Sequence, residues 1–156
     1  MSLWLAALPL VLASQSRSRR AVLEAAGVAI EVKPAAIDER GVEARAGVSG
    51  ADAVAALLAR EKAKAVGSND PERLVLGADQ TLALDGRRFS KAVDRAAARQ
   101  QLSALRGRTH TLHSALAVVR GGTVLFEYVD AAHLTMTARR SMTAARSPAA
   151  TLKSAG

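Results

Sequence analysis

Cysteine is absent from the 156 residues, which excludes disulfides, thiolate metal sites and a cysteine nucleophile and leaves the redox compartment open. Aromatic residues are nearly absent: one Trp, one Tyr and two Phe. Single-stranded nucleic acid is held on platforms of several exposed rings, so a specific nucleic-acid partner is not expected. A long hydrophobic run is missing as well. The apolar start from Trp4 to Ala13 is too short to span a bilayer, is interrupted by Pro9, and has its cations after it, the wrong order for a secretory signal. The expectation is a cytoplasmic protein with no membrane partner. Acids are missing from Thr137 to Gly156, where Arg139, Arg140, Arg146 and Lys153 supply four of the net formal charge of +8. The other four, on the body, suit an anionic ligand such as a nucleotide and equally suit an ordinary solvated surface.

What is present is aliphatic. Hydrophobic residues make up 49% of the chain, enough for one globular domain, which a chain of this length fills without room for a second. Its core is expected from closely packed Leu, Val and Ala. Leu8 to Ala13 reads as a buried strand, followed by the polar loop Ser14 to Arg20 and a helix over Ala21 to Ala26 that stops at Gly27. Strand, small polar loop and helix start present backbone N–H groups and a positive dipole end to an anion. Ser14, Ser16, Arg19 and Arg20 are therefore candidates for binding a triphosphate, the arginines in a bidentate way. The bland alternative is an N-cap serine with a solvated basic first turn.

Further on, Ile30 to Val32 reads as a short strand, and Asp38-Glu39 as two acids in a loop, solvated by default. Gly41 to Gly50 has no apolar period and reads as a connection. Val54, Leu57 and Leu58 have helical spacing, with Asp52 near the start and Lys62 and Lys64 near the end, where Lys62 by default complements the dipole at the surface. Leu74 to Ala83 then enters a hairpin that turns at Asp85-Gly86 and returns through Phe89 to Lys91. Within it the small pair Gly77-Ala78 lets another group approach the backbone. Asp79 follows, an acid among buried residues that is costly unless it has a partner or a task. It either caps a turn between two strands or binds a metal or activates water.

Asp94 begins another helix with Ala98, Leu102 and Leu105 as its stripe, ending at Arg106-Gly107. A strand from Arg108 to Val119 turns at Gly121-Gly122 into a last strand through Phe126, Val129 and Leu134. His110 and His113 point to opposite faces of such a strand and make a poor metal pair. From Met136 the segment has neither period and is expected to be weakly ordered.

Leu12-Ala13-Ser14-Gln15-Ser16 with Arg19-Arg20, Ile37-Asp38-Glu39, Leu58 to Ala63, Gly77-Ala78-Asp79-Gln80, Asp85-Gly86, Lys91 and Leu105 to His110 together resemble the Maf family of nucleotide pyrophosphatases. The order and spacing of these fragments over residues 8 to 135 carry the match. The resemblance implies an α/β fold, a twisted mixed sheet flanked by helices, with two lobes and a nucleotide cleft. It implies hydrolysis of a nucleoside triphosphate to the monophosphate and pyrophosphate with a divalent cation, Mg or Mn. It also implies roles: Asp79 as base or metal-linked activator of water, Glu39 as a metal ligand, and Ser14, Arg19, Lys62 and Lys91 as neutralisers of phosphate charge. The pair Asp79-Gln80 is similar to that of members acting on 7-methyl-GTP.

Arg17 stands where the family commonly has proline, Ser18 where many members have arginine, and Ala92 where proline usually follows the lysine. Residues 1 to 136 are expected to form the Maf-like domain with an incomplete second lobe. Residues 137 to 156 are expected to be an atypical basic tail, arising from truncation or a frame change. A sheet left with an open edge and an uncovered apolar face invites a second copy, so a homodimer is expected. The alternative function is a catalytically impaired nucleotide-binding protein of the same fold with a role in cell-division control.

Overall fold

The computed structural model describes residues 4–138. The aliphatic run predicted as the first strand forms β1 (Leu10–Leu12), with all three residues buried. It is shorter than expected because Leu8 stays half exposed. Ser16 caps the next helix by accepting from the Arg19 N–H, so α1 (Arg17–Ala25) starts four residues earlier than its apolar spacing suggests. β2 (Ile30–Val32) follows.

The stretch read as a connection is a helix. In α2 (Glu39–Ala46) the Asp38 side chain accepts from the Gly41 N–H, Glu39 and Arg45 complement the dipole, and Gly47 closes the end in the left-handed region at φ 63. None of its residues is buried, which is why no apolar period marks it. α3 (Ala51–Gly67) is the central helix and buries Val54, Ala55, Leu58, Ala59, Ala63 and Val66. β3 (Val75–Leu84) turns into β4 (Arg87–Phe89) through Asp85 at φ 49 and Gly86 at φ 76. Both turn residues have positive φ, as a tight hairpin requires.

Asp94 caps α4 (Arg95–Leu105). Of its expected stripe only Leu105 is buried, and Leu102 is exposed. The last hairpin is β5 (Thr109–Arg120) and β6 (Thr123–Thr135), joined by Gly121 and Gly122 at positive φ. Within β5, His110 is buried and His113 is not, as opposite faces require. The expectation of a weakly ordered tail lies, beyond Ala138, outside the described residues.

These strands make one mixed six-stranded sheet in the order β2-β1-β3-β5-β6, with β4 on the free part of β3. β1 is parallel to β2 and β3, and the remaining pairs are antiparallel. One face of the sheet carries α3. Its contact with β3 is close because Gly77 has no side chain: a Cβ there would lie 2.7 Å from the Ala63 N and 2.9 Å from the Ala63 Cβ, and would also strike the Ala59 carbonyl. Val75, Ala115, Ala117 and Val119 complete this core with Ala55, Ala59 and Ala63. The approach predicted from the Gly77-Ala78 pair is thus the seating of a helix. Leu76 and Ala78, of opposite parity on β3, face the other way and line a shallow apolar groove with Val22 and Leu23 of α1.

Candidate active site

β3 is hydrogen-bonded on one side along most of its length, but not on the other. β1 pairs with it only as far as Leu76, and β4 begins at Leu82. Between them the edge of β3 from Gly77 to Thr81 is left without a strand on that side. Asp79 lies in this gap, in the middle of a strand, which overturns its reading as a turn cap. A cleft of about 520 Å³ opens here. One wall comes from Ser16 and Arg19 at the start of α1 and from Leu58 and Lys62 of α3. The other comes from Arg40 and Glu43 of α2 and from Arg88, Phe89, Ser90 and Lys91 after the hairpin.

Lys62 is the centre of the site. Its side chain is 13% exposed and its Nζ lies 2.6 Å from Asp79 Oδ1 and 2.8 Å from Glu39 Oε1. The default reading of Lys62 as a surface cation is therefore wrong. Burial opposes its charge, yet the hydrogen bonds from the ammonium to Asp79 and Glu39 outweigh burial and hold its pKa above the ordinary lysine value. The ammonium is charged at neutral pH and fixed between two carboxylates. Glu39 is half exposed, and Asp79, at 12%, is almost covered. The acid read as solvated loop residue instead opens α2 and reaches Lys62.

The loop after β1 is short and prearranged. Arg19 Nη1 donates to Ser14 Oγ at 2.9 Å, and the Ser16 N–H reaches the same oxygen at 3.3 Å. Ser16 Oγ and Ser18 Oγ share a hydrogen bond at 2.9 Å. No acid occupies the first turn of α1, so Arg17 and Arg19 add their charge to a positive dipole end, an arrangement that suits an anion. A second space of about 510 Å³ between Ser14, Ser16, Arg19, Glu39, Lys62 and Lys91 adjoins the cleft.

Ser14, Ser16, Arg19, Glu39, Lys62, Asp79 and Lys91 are thus brought together by the fold. Arg20 is not among them: it pairs with Glu24 at 2.7 Å one turn along α1 and lines neither space. Arg40 and Arg88 line the cleft without having been singled out from the sequence. Arg88 is held by Glu43 at 2.6 Å, and only the docking of α2 on the hairpin makes it a cleft residue.

Among the described residues no group of three or more His, Asp or Glu could hold a metal by itself. Asp79 and Glu39 supply two hard oxygen donors. That number fits Mg²⁺ or Mn²⁺ bound jointly by protein carboxylates and substrate phosphates, the usual arrangement for a cation that keeps several waters. No helix among the described residues is long and apolar enough to cross a membrane.

A protein called nucleoside triphosphate pyrophosphatase from Rhodopseudomonas palustris (strain ATCC BAA-98 / CGA009) is 57% identical over 136 residues, 87% of this chain and 67% of the relative. One called 7-methyl-GTP pyrophosphatase from Rhizobium etli is 50% identical over 129 residues, 81% of this chain and 65% of the relative. The chain thus spans about two thirds of the length of these relatives. The structure of a HAM1 protein from Coxiella burnetii aligns at a TM-score of 0.53 and 18% identity, covering 81% of this chain and 70% of that one, and speaks for the fold alone. The family described as Maf-like protein matches residues 9–152. With that match across most of its length and relatives of this identity, the chain belongs to the Maf-like protein family.

Proposed function

We propose that the chain hydrolyses a nucleoside triphosphate between its α and β phosphates, releasing the monophosphate and pyrophosphate. The observation that carries the reading is the covered Lys62 ammonium between Asp79 and Glu39, beside the arginine-rich start of α1. The names of the relatives support it. In this reading a water attacks the α phosphorus, the bond to the bridging oxygen breaks, and that oxygen leaves with pyrophosphate. Asp79 accepts the proton of the attacking water. Lys62, Arg19 and Lys91, with the Ser14 and Ser16 hydroxyls, stabilise the charge that moves onto the leaving group. Asp79 and Glu39 would hold a divalent cation against the phosphates, where it would polarise them and offset their charge.

The Asp79-Gln80 pair and the Rhizobium etli relative favour 7-methyl-GTP among the substrates. A cytoplasmic location accords with a nucleotide substrate. A homodimer belongs to the same reading, because β6 ends the sheet among the described residues and Leu125 and Phe126 are exposed.

The test is incubation with Mg²⁺ or Mn²⁺ and 7-methyl-GTP, UTP or dTTP, with the released phosphate species identified and Asp79→Asn as control. Pyrophosphate release is expected to fall by about 10²–10⁴-fold in the variant while triphosphate binding survives. Release of single phosphate would contradict the site of cleavage. A loss under about tenfold would remove Asp79 from its role as base.

A further inference from the structure

The free edge of β3 connects the two faces of the sheet. On the face away from α3, a second pocket of about 410 Å³ shares Ser16, Arg19, Asp79 and Gln80 with the phosphate cleft. Its floor is built from two rows across three strands. Gln80 pairs with Ser114 and Ser114 with Asp130; Ala78 pairs with Leu116 and Leu116 with Tyr128. Paired residues point to the same face, so a polar row runs beside an apolar row. The polar row is partly ordered already. Gln80 Nε2 donates to Ser114 Oγ at 2.8 Å, and Asp130 Oδ1 accepts the Ala131 N–H at 2.8 Å, which orients the carboxylate. Tyr128, the only tyrosine of the chain, is half exposed beside them.

An aromatic ring next to an oriented carboxylate is matched by a planar base whose edge carries adjacent donors. Guanine has them, the ring N1–H and the 2-amino group, which a carboxylate accepts together. Uracil and thymine have one ring N–H flanked by two carbonyls, and a carboxylate meets those carbonyls with repulsion. We propose that this pocket binds the base of the nucleotide, with Asp130 reading the Watson–Crick edge of guanine and Tyr128 stacking on its face. The proposal rests on the triphosphate reading for the direction of the nucleotide, which runs from Asp79 around the open edge of β3 to Gln80 and on to Asp130.

The experiment is equilibrium binding of non-hydrolysable triphosphates of guanosine, xanthosine and uridine, and of inorganic tripolyphosphate, to wild type, Asp130→Asn, Tyr128→Leu and, to test the aromatic ring of the phosphate cleft as a rival stacking site, Phe89→Ala. Asp130→Asn is expected to weaken guanosine binding roughly 10- to 100-fold and to leave tripolyphosphate unchanged. It should also reverse the preference toward xanthosine, whose carbonyl at position 2 accepts from the new amide while N1–H still donates to its oxygen. A merely structural role for Asp130 produces no such gain. Tyr128→Leu is expected to weaken both purines roughly tenfold relative to tripolyphosphate. Equal losses on tripolyphosphate and guanosine, no gain for xanthosine, or base discrimination lost in Phe89→Ala instead would overturn the assignment. Pyrophosphate release is measured in parallel. Guanosine preference without release would remove the hydrolytic reading and keep the pocket. Release indifferent to the base would do the reverse.

Discussion

Gly77 and Lys62 depend on each other. The ammonium reaches Asp79 only because α3 lies against a strand position that has no side chain. Gly77→Ala is expected to force α3 off the sheet, costing about 1–3 kcal/mol in urea denaturation, with pyrophosphate release falling further than the loss of folded protein accounts for. Unchanged stability would mean that the helix yields without cost. Lys62→Met would leave two carboxylates facing each other without a cation. Its expected signature is a drop of about 10²–10³-fold in kcat/KM. It has a pH signature too. The pKa of Lys62 is raised above its ordinary value of 10.5 on folding, so its contribution to stability is complete below that value and is lost as pH rises through the folded value. The stability difference between wild type and Lys62→Met should accordingly stay flat from about pH 7 to about pH 9 and shrink at higher pH. A difference that instead shrinks between neutral pH and about pH 9 would show that the ammonium is not held above its usual range.

At the scale of elements, α2 carries a functional residue on a helix with no fully buried residue. It is held by its caps and by the Glu43–Arg88 pair, and its first residue, Glu39, is the one that reaches Lys62. Asp38→Ala removes the N-cap and is expected to cost about 1 kcal/mol. Because Glu39 follows directly, activity should fall although Asp38 itself lies outside the cleft lining; assays of kcat/KM with Asp38→Ala and the capping-competent Asp38→Ser separate capping from charge. The rescue by serine should be nearly complete. The sequence contained this helix in its capping residues, Asp38 and Gly47, while its periodicity was silent, because periodicity records burial and this helix has none. For Lys62 the residue pattern pointed to a dipole partner, and the family resemblance alone singled it out. On a helix every charged residue near the C-terminal half looks like a dipole partner until the element packed against it is known.

At the scale of the whole molecule, the described residues leave the sheet with one covered face and one largely open face. Val22, Phe126, Tyr128 and Leu134 are all substantially exposed, and β6 ends the sheet among the described residues. An edge strand with exposed apolar residues is a template for another chain. Sedimentation over a range of protein concentrations is expected to show a dimer whose dissociation rises at least about tenfold in Phe126→Lys. A wild-type protein that remains monomeric at high concentration would refute the association.

The strands were legible in the chain's own pattern, because aliphatic runs bounded by turn residues leave little choice, and so was the hairpin at Asp85-Gly86, because both residues must take positive φ. The sequence also placed Ser14, Arg19, Glu39, Lys62, Asp79 and Lys91 in an order that matches the family. Which of them meet depends on how the elements pack. Arg19 reaches Ser14 in the cleft while Arg20, its neighbour, spends its charge on Glu24; helix geometry turns adjacent residues about 100° apart, so adjacency in sequence is no guide to a shared site. Likewise the gap between β1 and β4 along β3, which exposes Asp79 and joins the two pockets, follows from where two short strands stop. Strand ends are set by pairing with residues far away in the chain, and no local pattern encodes them.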